Sequence, residues 1–287
     1  MAWGAVLAVD FVRPFEFEFF RNGVIVATLA GALCGVVGTY VVLRNMSYIG
    51  HGLSHAIFGG YAVAGLLGIN LFLGAGAWGL LAALVIGAIV RRRPIGSDAA
   101  IGVVTTAAFA FGLAIVQIYG SPGPSADALL FGNVLGVTWA DVWLIVGVSV
   151  GALAFIFVGY RQLLFTTFDA EVARATGVNT ALVDGLLMVL LSATVISTMN
   201  VLGVTLIAAS LVVPAVVARM LTDSFARMLV LAGAIGAVSG FVGMNASYHL
   251  DVASGPTIVL TSAAFFIVVF VIGAPLRRRS SAARIAR

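Results

Sequence analysis

The chain has 287 residues, 62% of them hydrophobic and only 9% charged, with a formal net charge of +4 at pH 7. Soluble domains carry about 25% charged residues, so this chain has too little polar surface to cover a water-facing globule. All fifteen basic residues are arginine, and a chain without lysine cannot contain the phosphate-binding loop of a P-loop ATPase, whose lysine reaches the β/γ-phosphates.

Residues 1–22 read as an extracytoplasmic N-terminal segment. Asp10, Arg13, Glu16, Glu18 and Arg21 stand among its aromatics, where a cleavable signal peptide needs an uninterrupted apolar region. Nine candidate spans follow, near the length of about 20 residues that crosses a bilayer as a helix. They are Gly23–Leu43, Gly50–Ile69, Leu71–Val90, Asp98–Tyr119, Trp139–Leu163, Thr180–Met199, Leu202–Leu221, Arg227–Tyr248 and Pro256–Leu276. They make a membrane domain over 23–276, followed by an Arg-rich tail over 277–287. Gly120–Asp127, "GSPGPSAD", reads as a loop from its Gly, Pro and Ser content. Barrel strands would alternate in blocks of ~10 residues, and no such alternation is present. The expected fold is an all-α integral membrane protein, a polytopic bundle of about 8–9 transmembrane helices. Two spans set the count. Leu71–Val90 follows its predecessor almost without a loop, and Leu202–Leu221 is short. Either can be a broken helix buried in protein.

Arginine placement gives the orientation. With the N-terminus outside, thirteen of the fifteen arginines fall on the inner side, and only Arg13 and Arg21 outside. The tail is then cytoplasmic. The same placement accounts for the positive net charge through topology, so no nucleic-acid partner is expected. Cys34 is the single cysteine and can form no internal disulfide. Glycines spaced four apart, Gly31 with Gly35 and Gly147 with Gly151, and the run Gly233, Gly236, Gly240 and Gly243 allow close helix approach within one bundle or between two copies.

His51 and His55 stand four apart in "MSYIGHGLSHAIFGG". On a helix they share one face, roughly 5–6 Å apart at Cβ. Two imidazoles so placed can converge on one divalent cation, although they cannot be the two axial ligands of one haem. Alternatives are a proton relay and two neutral histidines bonded within the bundle. His249 and Asp251, in "SYHLDVASGP", read either as an outer metal mouth or as an interfacial polar loop. Asp184 is expected in the first turn of the sixth span, favoured there by the helix dipole. Ser97–Asp98 reads as an N-cap. Phe168–Asn179 has a helical pattern with acidic residues first, Arg174 later and Gly177 at the end. Val212–Met228 leaves the membrane near Arg219.

Several segments in one order carry a resemblance: "VVLRNMSYIGHGLSHAIFGG", "SDAAIGVVTTAAFAFGL", "LLFGNVLGV", "FDAEVARATGVN", "VLGVTLIAASLVVPAVVARML" and "YHLDVASGPTIVL". From about Arg21 to Ile272 the chain resembles the permease subunits of ABC transporters that take up zinc, manganese or iron(II). The resemblance implies a type II importer-like permease in a prokaryotic plasma membrane. A homodimer would carry the translocation path at its interface. Cytoplasmic ATPase subunits would hold the ATP, and an extracytoplasmic protein would deliver the metal, which is cargo rather than a permanent cofactor. The family's metal site is an acidic residue followed four positions later by histidine. His55 stands at the histidine position, and His51 replaces the acidic residue. The resemblance places ATPase docking after "VVP", on Pro214, Arg219, Thr222, Asp223 and Arg227, with Glu171 and Gly177 in a second inner-face segment. No covalent change to the substrate is expected. Rival readings are a permease for a metal chelate, a secondary transporter driven through His51, His55 and Asp184, and a membrane anchor for an oxidoreductase.

Overall fold

The computed structural model describes residues 13–92, 96–120, 131–132 and 136–285. The predicted Gly120–Asp127 loop beyond Gly120, most of "LLFGNVLGV" and the first twelve residues lie outside them. Among the described residues there is no strand. A short 3-10 turn at Arg13–Glu16 precedes α1 (Glu18–Leu43), α2 (Ile49–Leu67), α3 (Leu71–Arg92) and α4 (Ser97–Tyr119). Then come α5 (Trp139–Val158), α6 (Tyr160–Phe168), α7 (Ala170–Ala175), α8 (Thr180–Leu202), α9 (Ile207–Leu221), α10 (Phe225–Leu250) and α11 (Ser254–Ile285).

Local chemistry sets several boundaries. Gly68, at φ +68°, ends α2 in the left-handed region that favours glycine. The Asp141 carboxylate accepts from the backbone N–H and the hydroxyl of Thr138, both at 2.8 Å, at the start of α5. Several boundaries differ from the sequence reading, among them the start of α9 at Ile207 rather than Leu202, the continuation of α11 to Ile285 through the predicted tail, and the following three. The fifth span breaks at Gly159 instead of running to Leu163, and the chain resumes as α6. Within Phe168–Asn179, Phe168 closes α6 and a separate helix covers only Ala170–Ala175, capped by Asp169, whose carboxylate accepts from Glu171 and Val172 N–H. α4 takes Gly96 as its cap, so Ser97 is its first helical residue.

Among the described residues, seven helices are long and apolar enough to cross a membrane: α1, α3, α4, α5, α8, α10 and α11. The other two predicted spans fail for different reasons. α2 is diluted by its histidines, serine and glycines. α9 has 15 residues, about 22 Å against a hydrocarbon core of ~30 Å.

α1 is the central helix, with Phe20, Cys34 and Tyr40 fully buried. It crosses α10 with backbones in contact. A Cβ on Gly31 would collide with the Gly236 carbonyl oxygen, and one on Gly35 with that of Ala232. Gly31, Gly35, Gly236 and Gly240 are therefore spent on packing inside one chain. A Cβ on Gly147 or Gly151 would meet nothing within 4 Å.

The two ends of the bundle are distinct. At one end Phe225 is ringed by Tyr40, Tyr160 and Phe168, with centroids 5.5, 5.7 and 5.8 Å away. This gathers the C-terminus of α1, the start of α10 and both ends of α6. At the other end Phe20 packs on Tyr248 at 5.0 Å.

Candidate functional site

α2 is held by glycines on three sides. A Cβ on Gly50 would strike Leu211 of α9. Gly52 fits against Ile101 and Thr105, and Gly59 against Ala108, all of α4. Gly60 fits against Trp78 and Gly74 of α3. The remaining face carries His51, His55 and Phe58, at helical spacing, and the chain's other helices leave it partly open: His51 is exposed, His55 and Phe58 half-buried.

The two imidazole centroids lie 4.2 Å apart, with planes inclined by 48°. His55 Nδ1 is 2.9 Å from the backbone oxygen of His51. A carbonyl oxygen can only accept, so Nδ1 is the donor, and in the neutral ring Nε2 keeps its lone pair. A backbone carbonyl fixing one ring nitrogen is the arrangement that presents the other to a metal. Phe109 of α4 packs against His55 at 4.9 Å and against Phe58 at 5.3 Å. Two nitrogens bound at 2.0–2.1 Å to one tetrahedral zinc are about 3.3 Å apart, within reach of these rings. Among the described residues no group of three or more His, Cys, Asp or Glu could hold a metal. One chain thus brings two imidazoles together at this face.

The other predicted residues divide between the two ends. His249 lies in the last turn of α10, and Asp251 caps that helix at φ 52°. Asp251 also lines a cavity of about 430 Å³ with Phe19, Phe20 and Tyr248. His249 and Asp251 share the Phe20–Tyr248 end, and neither joins the His51–His55 pair. At the Phe225 end, Arg219 pairs with Asp223 at 3.4 Å, and Thr222 ends α9. Arg227 and Glu171 are exposed, as is Gly177, which takes φ +82°. Pro214 is different, because it is buried inside α9.

Two features escaped the sequence reading. Phe109 had no polar signal to mark it. Asp184 is not in the first turn of its helix, since α8 begins at Thr180. It pairs with Arg44, which is only 10% exposed, at 2.5 Å. Arg44 also donates to Thr166 and Thr167 of α6. A lone arginine between Arg21 and Arg91 and a lone acid inside an apolar run were the available signal.

Fold and site together define a polytopic helical membrane protein with two imidazoles on one partly open helix face, in a sequence without the lysine of a phosphate-binding loop. The family model of the ABC 3 transport family matches residues 16–273. The chain is 39% identical over 267 residues to "Manganese import system permease protein ScaB" of Streptococcus parasanguinis, covering 92% of this chain and 94% of that one. It is 37% identical over 266 residues to "Manganese transport system membrane protein MntC" of Halalkalibacterium halodurans, covering 92% and 90%. A solved structure, PsaBC from Streptococcus pneumoniae in complex with Fab, superposes with a TM-score of 0.81 at 36% identity, over 91% of this chain and 94% of that one. The chain belongs to the ABC 3 transport family, and it is a multi-pass membrane permease of an ABC transporter.

Proposed function

We propose that the chain is the permease subunit of an ATP-driven importer of a divalent transition metal (zinc, manganese or iron(II)), with His51 and His55 as its cation ligands. The observation that carries the site is the His55 Nδ1 contact with the His51 carbonyl, which leaves Nε2 available on a partly open helix face. The manganese names of the relatives support the substrate class. Two imidazoles per chain are half of a four-nitrogen set, which supports a second copy completing the site at a two-fold interface. Imidazole in place of carboxylate favours zinc over manganese, which prefers oxygen. The ligands hold the cation weakly enough to release it inward.

In this reading nine helices belong to the membrane domain over 23–276, with α2 and α9 packed against the longer ones. The N-terminal segment 1–22 is extracytoplasmic, and the tail 277–287 is cytoplasmic. Separate ATPase subunits dock at the Phe225 end on Arg219, Thr222, Asp223, Arg227, Glu171 and Gly177. Pro214 shapes α9 from inside. A metal-delivering protein meets the opposite end, where His249 and Asp251 lie. The ion-coupled alternative loses its third group, because Asp184 is tied to Arg44.

The test is metal accumulation in cells carrying wild type, His51→Ala or His55→Ala, with protein level measured. Loss of uptake in both at normal abundance is expected. Unchanged uptake in both removes the site.

A further inference from the structure

A long apolar groove runs along the outside of the bundle between α1, α5 and α10. Its volume is about 1020 Å³. Its floor includes Val36, Ile156 and Leu229, and its walls Leu153, Phe157 and Val230. Phe157 is 87% exposed and Val230 72%. α2 and α4, which carry the candidate metal ligands and their aromatic wall, take no part in it.

The groove has a depth and a polarity. Along α10 it extends from Ala226 to Ala234, and along α5 and the start of α6 from Tyr160 back to Val150. At 1.5 Å per residue these are about 12 and 15 Å, the thickness of one hydrocarbon leaflet. It closes at the Phe225 end, where Tyr160 packs on Phe225. A second hollow of about 410 Å³ continues from it there, sharing Ala226 and Val230 and adding Arg227. Arg161, next to Tyr160, lies over the Phe165 ring at 5.5 Å. Among the described residues neither arginine is ion-paired.

We propose that this groove binds an anionic glycerophospholipid, with an acyl chain along Val36, Phe157 and Val230 and its phosphate at Arg227 and Arg161. An apolar trough one leaflet deep, continued by a hollow that Arg227 lines and with Arg161 next to its Tyr160 end, matches such a lipid in length and charge. Basic side chains at that level attract anionic headgroups, and guanidinium meets phosphate oxygens through paired hydrogen bonds. Arg227 also belongs to the inner-face set assigned to ATPase docking above, so lipid and ATPase share that residue, while the groove and the lipid readout do not depend on metal transport.

The experiment is native mass spectrometry of the full chain released from micelles doped with phosphatidylglycerol or phosphatidylcholine of matched acyl chains. A retained one-to-one adduct is expected, with occupancy at least about fivefold higher for phosphatidylglycerol. Arg161→Gln with Arg227→Gln abolishes that preference. Ala154→Phe with Ala234→Phe, which fills the groove, lowers retention of both lipids. A phosphatidylglycerol bearing a mid-chain diazirine, which needs no variant, labels α5 and α10 peptides from the groove. Equal retention of the two lipids by wild type, or labelling elsewhere, overturns the proposal. So does a groove-filling variant that keeps its lipid but loses its dimer mass, which would assign the groove to a second copy.

Discussion

Arg44 and Asp184 are 140 positions apart in sequence, and their side chains meet at 2.5 Å. The pair ties the end of α1 to the start of α8. The remaining guanidinium nitrogens donate to Thr166 at 2.8 Å and Thr167 at 3.1 Å, so α6 is held to the same point. One buried cation thereby fixes the short α6 to the membrane bundle. Removing one partner leaves the other charge uncompensated in a poorly hydrated place. Asp184 is 33% exposed, which moderates the penalty. Arg44→Ala and Asp184→Ala should each cost about 2 kcal/mol. Arg44→Met with Asp184→Leu should cost clearly less than the two single losses added together. Thermal unfolding of the purified variants in one detergent checks this. Strict additivity would show that the contact carries no coupling.

Glycine positions that look alike in the sequence should behave oppositely. A Cβ at Gly236 would collide with the Gly31 carbonyl oxygen, so Gly236→Ala must push α1 and α10 apart. A destabilisation of about 3 kcal/mol or more is expected, seen as lower folded yield and melting temperature. Gly147 lies inside α5, and a Cβ added there would have nothing within 4 Å. Gly147→Ala should stabilise that helix by about 0.5–1 kcal/mol. Size-exclusion profiles and melting curves of the two variants separate the cases. Similar behaviour would contradict the α1–α10 packing.

The spans were legible because bilayer crossing imposes length and apolarity on a contiguous stretch, as in α3, α4 and α11. The His51–His55 pair was legible because helical spacing alone puts both on one face. Breaks and pairings were harder to read. Gly159 breaks the helix just before Arg161 and Gln162, while the apolar residues from Leu163 onward make the run look continuous past it. Arg44 and Asp184 meet only through tertiary folding, so each looked like a local end-of-helix charge. Phe109 is one phenylalanine among nineteen, and only the α2–α4 contact places it on His55.

The packing of Phe109 on His55 predicts a graded effect. His55 is held between its bond to the His51 carbonyl and the Phe109 ring. Phe109→Ala removes one wall and lets the imidazole rotate away from its partner. Metal uptake should fall several-fold through weaker apparent affinity, while Phe109→Leu keeps most of the wall and most of the uptake. Concentration-dependent accumulation of zinc and manganese reads this out. An unchanged half-saturating concentration in Phe109→Ala would show that the ring does not position the ligand.

His51 can be used to tune metal choice. A carboxylate at this position supplies a hard, anionic oxygen, which manganese prefers, while a second imidazole suits zinc. His51→Asp should raise manganese uptake relative to zinc, and His51→Asn should not, because it lacks the charge. Competition uptake with both metals measures the ratio directly. A fall in both metals without a change of ratio would mean that His51 serves structure rather than selection.

The inner-face residues separate stability from assembly. Arg219 and Asp223 form an exposed pair, 47% and 97% accessible, with the two side chains four apart across the end of α9. Such pairs contribute about 0–1 kcal/mol to folding, so Arg219→Glu should leave the melting temperature of the isolated permease nearly unchanged. If this surface receives the ATPase subunits, the reversed charge meets them with repulsion where it had attraction, and truncating or inverting one partner costs association. Co-purification of tagged ATPase with Arg219→Glu should drop at least about tenfold at low salt, with partial recovery when the partner's facing charge is also inverted. Pro214→Ala gives the contrasting result. It restores an N–H inside a buried stretch of α9 and touches no partner. Its effect should appear in the stability of the permease and not in ATPase binding at a given folded concentration. Normal co-purification by Arg219→Glu together with loss by Pro214→Ala would place the docking surface elsewhere and make α9 a conformational relay.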